Sequence, residues 1–194
     1  MRAPLAALLL LALPATALSA EETATEALRA RDAEIRAALP PAGSEVTPAT
    51  RKRVENIITR IVDVHAMVES AMAARWKQIT EAQRKRLVTA FENRFRSTSG
   101  SEFDTYRSTE VAYEPEKVEA GRVVVPTRVV VKGEPTDITY AMRQEGGAWR
   151  IVDIVIDGVS TVDNYRSSFA RVISKEGVEG LIARLEKGPS TGRP

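Results

Sequence analysis

Apolar positions recur along this chain at two different periods, and the change between them divides it into helices, strands and helices again. Val54, Ile57, Ile58, Ile61, Val62, His65, Val68, Met72 and Trp76 return every three or four residues, the period of an amphipathic helix. Thr47 caps this run, with Pro48 at the first helical position, where its missing amide does no harm. A bend is expected near Asp63. Ahead of it, the box from Thr23 to Glu26 opens a helix over about Thr25 to Leu39, which Pro40-Pro41-Ala42-Gly43 ends. Thr80 and Gln83 form a second capping box, followed by an inner stripe of Leu87, Val88, Phe91 and Phe95 that Ser97 to Gly100 closes.

From about Tyr106 the pattern changes to strands. Val123-Val124-Val125 and Val129-Val130-Val131 flank Pro126, and Ile138, Tyr140 and Met142 alternate with polar residues. From Trp149 to Ile156 the chain is apolar on nearly both faces and needs cover on both. Turn residues stand at Ala120-Gly121, Gly133-Glu134-Pro135 and Gly146-Gly147, so short hairpins join the strands. Helical spacing resumes after Gly158 with Val162, Tyr165, Phe169, Val172 and Ile173. Gly177 breaks it, and Val178, Leu181, Ile182 and Leu185 mark a last short helix. The expected fold is α+β: a four-stranded antiparallel sheet with segregated helices. The pattern predicts one domain over 21–187, helical over about 21–100, with sheet and C-terminal helices over about 104–187. Residues 188–194 read as a flexible tail.

The first twenty residues have the three-part layout of a secretory signal peptide: Met1-Arg2, the apolar run Leu5 to Leu13, and small residues from Ala15 to Ala20. Cleavage after Ala17, Ser19 or Ala20 is equally readable. The run falls well short of the roughly 20 residues of a spanning helix. An exported chain without cysteine points to a bacterial envelope.

Composition removes most chemistry. With no cysteine there is no thiolate catalysis, disulfide, Cys-ligated zinc or lipid anchor through Cys, and the lone His65 excludes a multi-histidine metal site. The 28 Lys and Arg nearly balance 26 Asp and Glu, which argues against a nucleic-acid partner. His65, near Asp63 and Glu69, fits a general base less well than a partly buried histidine on an apolar helix face. Asp153, Asp157 and Asp163 read more simply as caps and turn residues than as acid–base carboxylates. Ser160 lacks a Gly-x-Ser-x-Gly elbow and reads as a helix start, and Arg84-Lys85-Arg86 as a solvated or protein-docking face. No enzyme, cofactor or metal is expected. What remains is apolar surplus, which could wall a cavity but which the pattern alone reads more simply as core.

One long stretch carries a resemblance. Tyr140-Ala141-Met142 leads to Gly147-Ala148-Trp149-Arg150-Ile151-Val152-Asp153 and then Asp157-Gly158-Val159-Ser160. Asn164-Tyr165-Arg166 and Lys175-Glu176-Gly177-Val178-Glu179-Gly180-Leu181 follow. This resembles the MlaC family, periplasmic toluene-tolerance proteins that serve a lipid-transporting ABC system. Asp63, Met67, Trp76, Gln83, Phe91 and Phe95 are similar to that family's helical half, so the resemblance spans roughly Thr47 to Lys187. Ala73-Ala74-Arg75 and Ser97-Thr98-Ser99 depart from it.

The resemblance implies a soluble periplasmic carrier, a monomer, that shuttles a phospholipid between outer and inner membranes and helps maintain outer-membrane lipid asymmetry. It implies two partners, an inner-membrane ABC transporter complex and an outer-membrane lipoprotein–porin complex. Such a carrier answers a physical need, because about 30 methylenes exposed to water cost on the order of 25 kcal/mol. The container expected is an apolar, lipid-binding cavity of roughly 1,000 Å³. Its expected walls are Val64, Met67, Val68, Met72, Leu87, Phe91 and Phe95 from the helices. The sheet is expected to add Val125, Val129, Ile138, Tyr140, Val152 and Ile154, with Trp149 and Ile151 turned to the core. Two alternatives stand beside this reading: binding of a hopanoid or other apolar lipid, and a ligand-free envelope adaptor with a filled core.

Overall fold

The computed structural model describes residues 22–41, 43–99, 109–131 and 133–187. The expected signal peptide and C-terminal tail lie outside these residues, as does the start of the strand expected from Tyr106. Helix α1 (Ala24–Ala38) opens on the expected box: the Glu26 amide donates to Thr23 Oγ1 at 3.2 Å, and the Thr23 amide to Glu26 Oε2 at 2.8 Å. Helix α2 (Pro48–Ile61) begins at Thr47, whose hydroxyl accepts from the Thr50 amide. Ile35 and Leu39 of the first helical segment pack on Val54 and Ile57 of α2.

The bend at Asp63 is a full break. Val62 is extended and forms a one-residue parallel bridge to Ile151 of the sheet, with the Asp63 amide donating to the Ile151 carbonyl at 2.8 Å. Asp63 then caps α3 (Val64–Met72), its Oδ1 accepting from the Ala66 amide at 2.8 Å. A short 3-10 turn carries Trp76 into the core, and the Thr80–Gln83 box opens α4 (Glu81–Ser99).

The sheet is larger than the four strands expected. Among the described residues it has six: β1 (Val111–Tyr113), β2 (Lys117–Glu119), β3 (Arg122–Val131), β4 (Glu134–Glu145), β5 (Ala148–Ile156) and β6 (Val159–Ser160), all paired antiparallel. Two local causes explain the difference. The first expected strand splits into β1 and β2, both on β3, at the point where Pro126 faces them. The Pro126 carbonyl accepts from the Glu114 amide, so its absent N–H falls on the same side, and the ladder is interrupted there. At the other end Asp157 and Gly158, with φ of 48° and 81°, make a two-residue hairpin that folds β6 back on β5 before any helix begins.

Ser160 caps the long α5 (Thr161–Glu186), its Oγ accepting from the Asp163 amide at 3.1 Å. Gly177 interrupts α5 with φ 69° and ψ −177°, a conformation open to glycine. The break lets Leu181, Ile182 and Leu185 join the main core with Val68, Met72, Leu87, Phe91, Met142 and Ile151. Helix α3 packs on α4, α5 and β5 at the centre of this arrangement.

Candidate functional site

The register of the three long strands puts Val125, Tyr140 and Ile154 side by side on one face, with Thr127 and Ile138 beside them. At its outer end this face meets α1 and α2 rather than the packed core. An apolar cavity of about 410 Å³ lies between them. Leu28 and Ile35 of α1, Ile58 and Ile61 of α2, Val62, and Phe95 of α4 form its helical side. Val111, Tyr113, Val129, Ile138, Tyr140, Ile151 and Ile154 form its sheet side. Arg31, Asp32, Arg36 and Thr109 add the polar part of the lining.

Five of the expected wall residues line this cavity: Phe95, Val129, Ile138, Tyr140 and Ile154. Val64, Met67, Val68, Met72, Leu87, Phe91 and Val125 belong to the packed core instead. For the helical residues among them the reason is α5, which packs against both α3 and α4. Phe91, for example, meets the edges of Tyr165 at 4.7 Å and Phe169 at 6.0 Å between ring centroids. The face expected for the last strand also needs correcting. Ala141 pairs with Asp153 but Met142 with Ile151, leaving Val152 as the extra residue of a β-bulge. Strict alternation fails there. Ile151 joins Ile154 at the cavity, and Val152 is buried on the opposite face with Ala66, Val124 and Ala141. The contribution of α1 was not part of the expected wall. Its signal lies in the stripe Ala24, Leu28 and Ile35, all buried.

The cavity mouth is charged but largely self-neutralised. Arg36 donates from Nε to Asp32 Oδ2 at 2.9 Å and from Nη2 to the Thr109 carbonyl at 2.7 Å. Arg31 pairs with Glu34, which also takes Arg60. The Arg29 guanidinium lies over the Tyr113 ring, 4.0 Å from its centroid. Burial pushes the Tyr140 phenol up to about 12, with Tyr113 and Asp32 nearby adding to the shift. Tyr113 is likewise pushed up to about 12, by burial first and Asp32 second, against the pull of Arg29 and Arg36. Both phenols therefore stay protonated hydrogen-bond donors near neutral pH.

The other sequence candidates have structural duties. His65 is exposed rather than partly buried, with its ring edge on Trp76 at 5.3 Å. Asp153 clamps the β5–α5 junction, accepting from the Ile154 and Val162 amides and from the Ser160 hydroxyl at 2.6 Å. Asp157 accepts from the Asp137 amide, and Asp163 pairs with Arg166. Arg84 donates to the Trp76 carbonyl, and Arg86 bonds Glu179 and Glu186 of α5. Among the described residues no group of three or more His, Asp or Glu is placed to hold a metal, and no helix is long and apolar enough to cross a membrane.

A chain of helices packed on an antiparallel sheet in this order has known counterparts. Residues 40–187 match the MlaC protein family. The chain belongs to the MlaC family. It is similar to toluene tolerance protein ttg2D of Pseudomonas putida, 21% identical over 127 residues. That similarity covers 64% of this chain and 59% of the length of the curated relative. Among solved structures it is similar to the phospholipid-binding protein from Ralstonia solanacearum in complex with a phospholipid. The TM-score is 0.69 at 26% identity, over 86% of this chain and 95% of that one. Within this MlaC-family chain, α1 precedes the matched stretch yet supplies five residues to the cavity: Leu28, Arg31, Asp32, Ile35 and Arg36.

Proposed function

We propose that this protein binds a phospholipid with its acyl chains in the cavity between α1, α2 and the sheet, and carries it through the periplasm between outer and inner membranes. The observation that carries the reading is the apolar wall from Leu28 to Ile154, in a chain of the MlaC family whose solved relative holds a phospholipid. Binding rather than turnover fits the site, because its polar groups are one arginine stacked on a ring, internally paired charges and neutral phenols. An adaptor with a filled core is disfavoured by the cavity itself. Export by a cleaved signal peptide, a monomeric state, and service to an ABC transporter complex and an outer-membrane lipoprotein–porin complex belong to the same proposal.

The cavity of about 410 Å³ is smaller than the roughly 1,000 Å³ expected for two tails. Full loading then requires α1 to move outward. Polar links at its two ends hold it to the sheet side: Thr25 donates to Glu116 at 2.9 and 2.7 Å, and Arg36 to the Thr109 carbonyl. Such links re-form readily after displacement. Native mass spectrometry of protein purified from a periplasmic extract without detergent tests the proposal. A bound mass resolving to a two-chain phospholipid supports it, and a hopanoid would replace the cargo. A clean apo mass, followed by failure to take lipid from vesicles, would overturn it.

A further inference from the structure

Beside the apolar cavity, and sharing Asp32, Arg36, Thr109, Val111 and Tyr113 with it, opens a second, polar depression that adds Arg29 and Glu110. The five shared residues put this depression directly beside the cavity, where the polar end of a lipid held by its tails would lie. The charges of this vestibule are of two kinds. Arg36 and Asp32 satisfy each other. Arg29 and Glu110 are different: both are exposed, and neither side chain makes a hydrogen bond or ion pair among the described residues. Arg29 is nonetheless held in place, its guanidinium carbon over the Tyr113 ring 4.0 Å from the centroid, a contact with the ring face that uses none of its N–H donors. The depression thus presents one cation and one carboxylate, neither of them in an ion pair among the described residues. Tyr140, in the wall of the apolar cavity, has a hydroxyl that also makes no hydrogen bond among the described residues.

Resting on the lipid-carrier reading above, we propose that this vestibule selects a zwitterionic phospho-ammonium headgroup: Arg29 takes the phosphodiester, Glu110 the ammonium, and the Tyr140 hydroxyl an ester carbonyl. A headgroup with phosphate but no ammonium would leave Glu110 facing a net negative lipid, a like-charge contact that disfavours it.

The test loads the purified mature chain from vesicles of equal phosphatidylethanolamine and phosphatidylglycerol and measures the ratio of the two lipids bound. The wild-type chain is expected to enrich phosphatidylethanolamine, and Glu110→Lys to shift the ratio toward phosphatidylglycerol by about fivefold, the worth of one exposed ion pair. Arg29→Gln is expected to lower uptake of both lipids. Glu119→Lys makes the same charge change on β2, outside the vestibule, and should leave the wild-type ratio in place. A bound ratio equal to that of the vesicles, or an equal shift in Glu110→Lys and Glu119→Lys, overturns the headgroup assignment while leaving the carrier intact. Uptake of neither lipid overturns the carrier reading and this one together. Inorganic phosphate is the last arm: if it displaces lipid, Arg29 is a general anion site and the headgroup assignment fails.

Discussion

Ile138 and Asp63 show how much depends on the surroundings of a single side chain. Ile138 is half-buried and turned into the cavity, opposite Thr127 on β3 and Ile156 on β5. Ile138→Asp is therefore expected to leave a folded protein, since water can reach the new carboxylate, but to lose bound lipid. Circular dichroism beside lipid extraction checks both halves, and full lipid retention in a folded variant would remove Ile138 from the wall. Asp63 is 5% exposed. Its burial raises the carboxyl pKa, but the Ala66 amide and the Arg143 guanidinium at 2.7 Å outweigh burial and hold it below the usual carboxylate value. A folded-state pKa below the unfolded one means that Asp63 stabilises the fold above about pH 4. That contribution is lost as pH falls through the folded value. Asp63→Asn should cost about 2 kcal/mol at neutral pH and flatten the acid limb of the stability curve. Urea melts at a series of pH values from 7 downward check this, the gap between the two proteins narrowing as the pH falls through the folded-state value.

At the scale of elements, the helices were legible and the sheet only in part. The boxes Thr23–Glu26 and Thr80–Gln83 and the cap at Thr47 are local hydrogen bonds between near neighbours in sequence, so residue type and spacing suffice to place them. Strand number was harder because it depends on partners distant in sequence. Pro126 interrupts β1–β2 only once those strands lie against it, and Asp157-Gly158 makes a hairpin only if Val159 finds β5. The bulge at Val152 had no sequence signal at all, so Val152→Glu would strike a buried cluster on the far face rather than the cavity. Helix α5 carries its own device. Gly177 has φ 69° with ψ −177°, where any side chain is strained. Gly177→Ala should cost about 2 kcal/mol, read as a lower thermal midpoint, because Leu181, Ile182 and Leu185 reach the core only through that break. An unchanged midpoint would mean that the two halves of α5 dock without it.

For the whole molecule, the cavity and the core compete for the same apolar side chains, and a ligand that fills the cavity adds to the stability of the folded chain alone. Lipid present at about 100 times its dissociation constant adds about 2.7 kcal/mol. Delipidated protein should melt lower by on the order of 5–10 °C and recover on reloading from vesicles. A midpoint insensitive to lipid would count against the cavity as the binding site. Sequence by itself determined the α+β class and the capped helix starts at Thr23, Thr47 and Thr80 through its local pattern, and excluded thiol and multi-histidine chemistry through its composition. The Tyr140–Lys187 stretch also carried the family. Which apolar residues became wall and which became core was decided only by tertiary structure. Met67 and Phe91 are as apolar as Leu28 and Ile138, and period alone cannot separate them. The docking of α5 buried the first two, and the meeting of α1 with the sheet left space beside the others, because packing depends on what lies opposite each side chain in three dimensions.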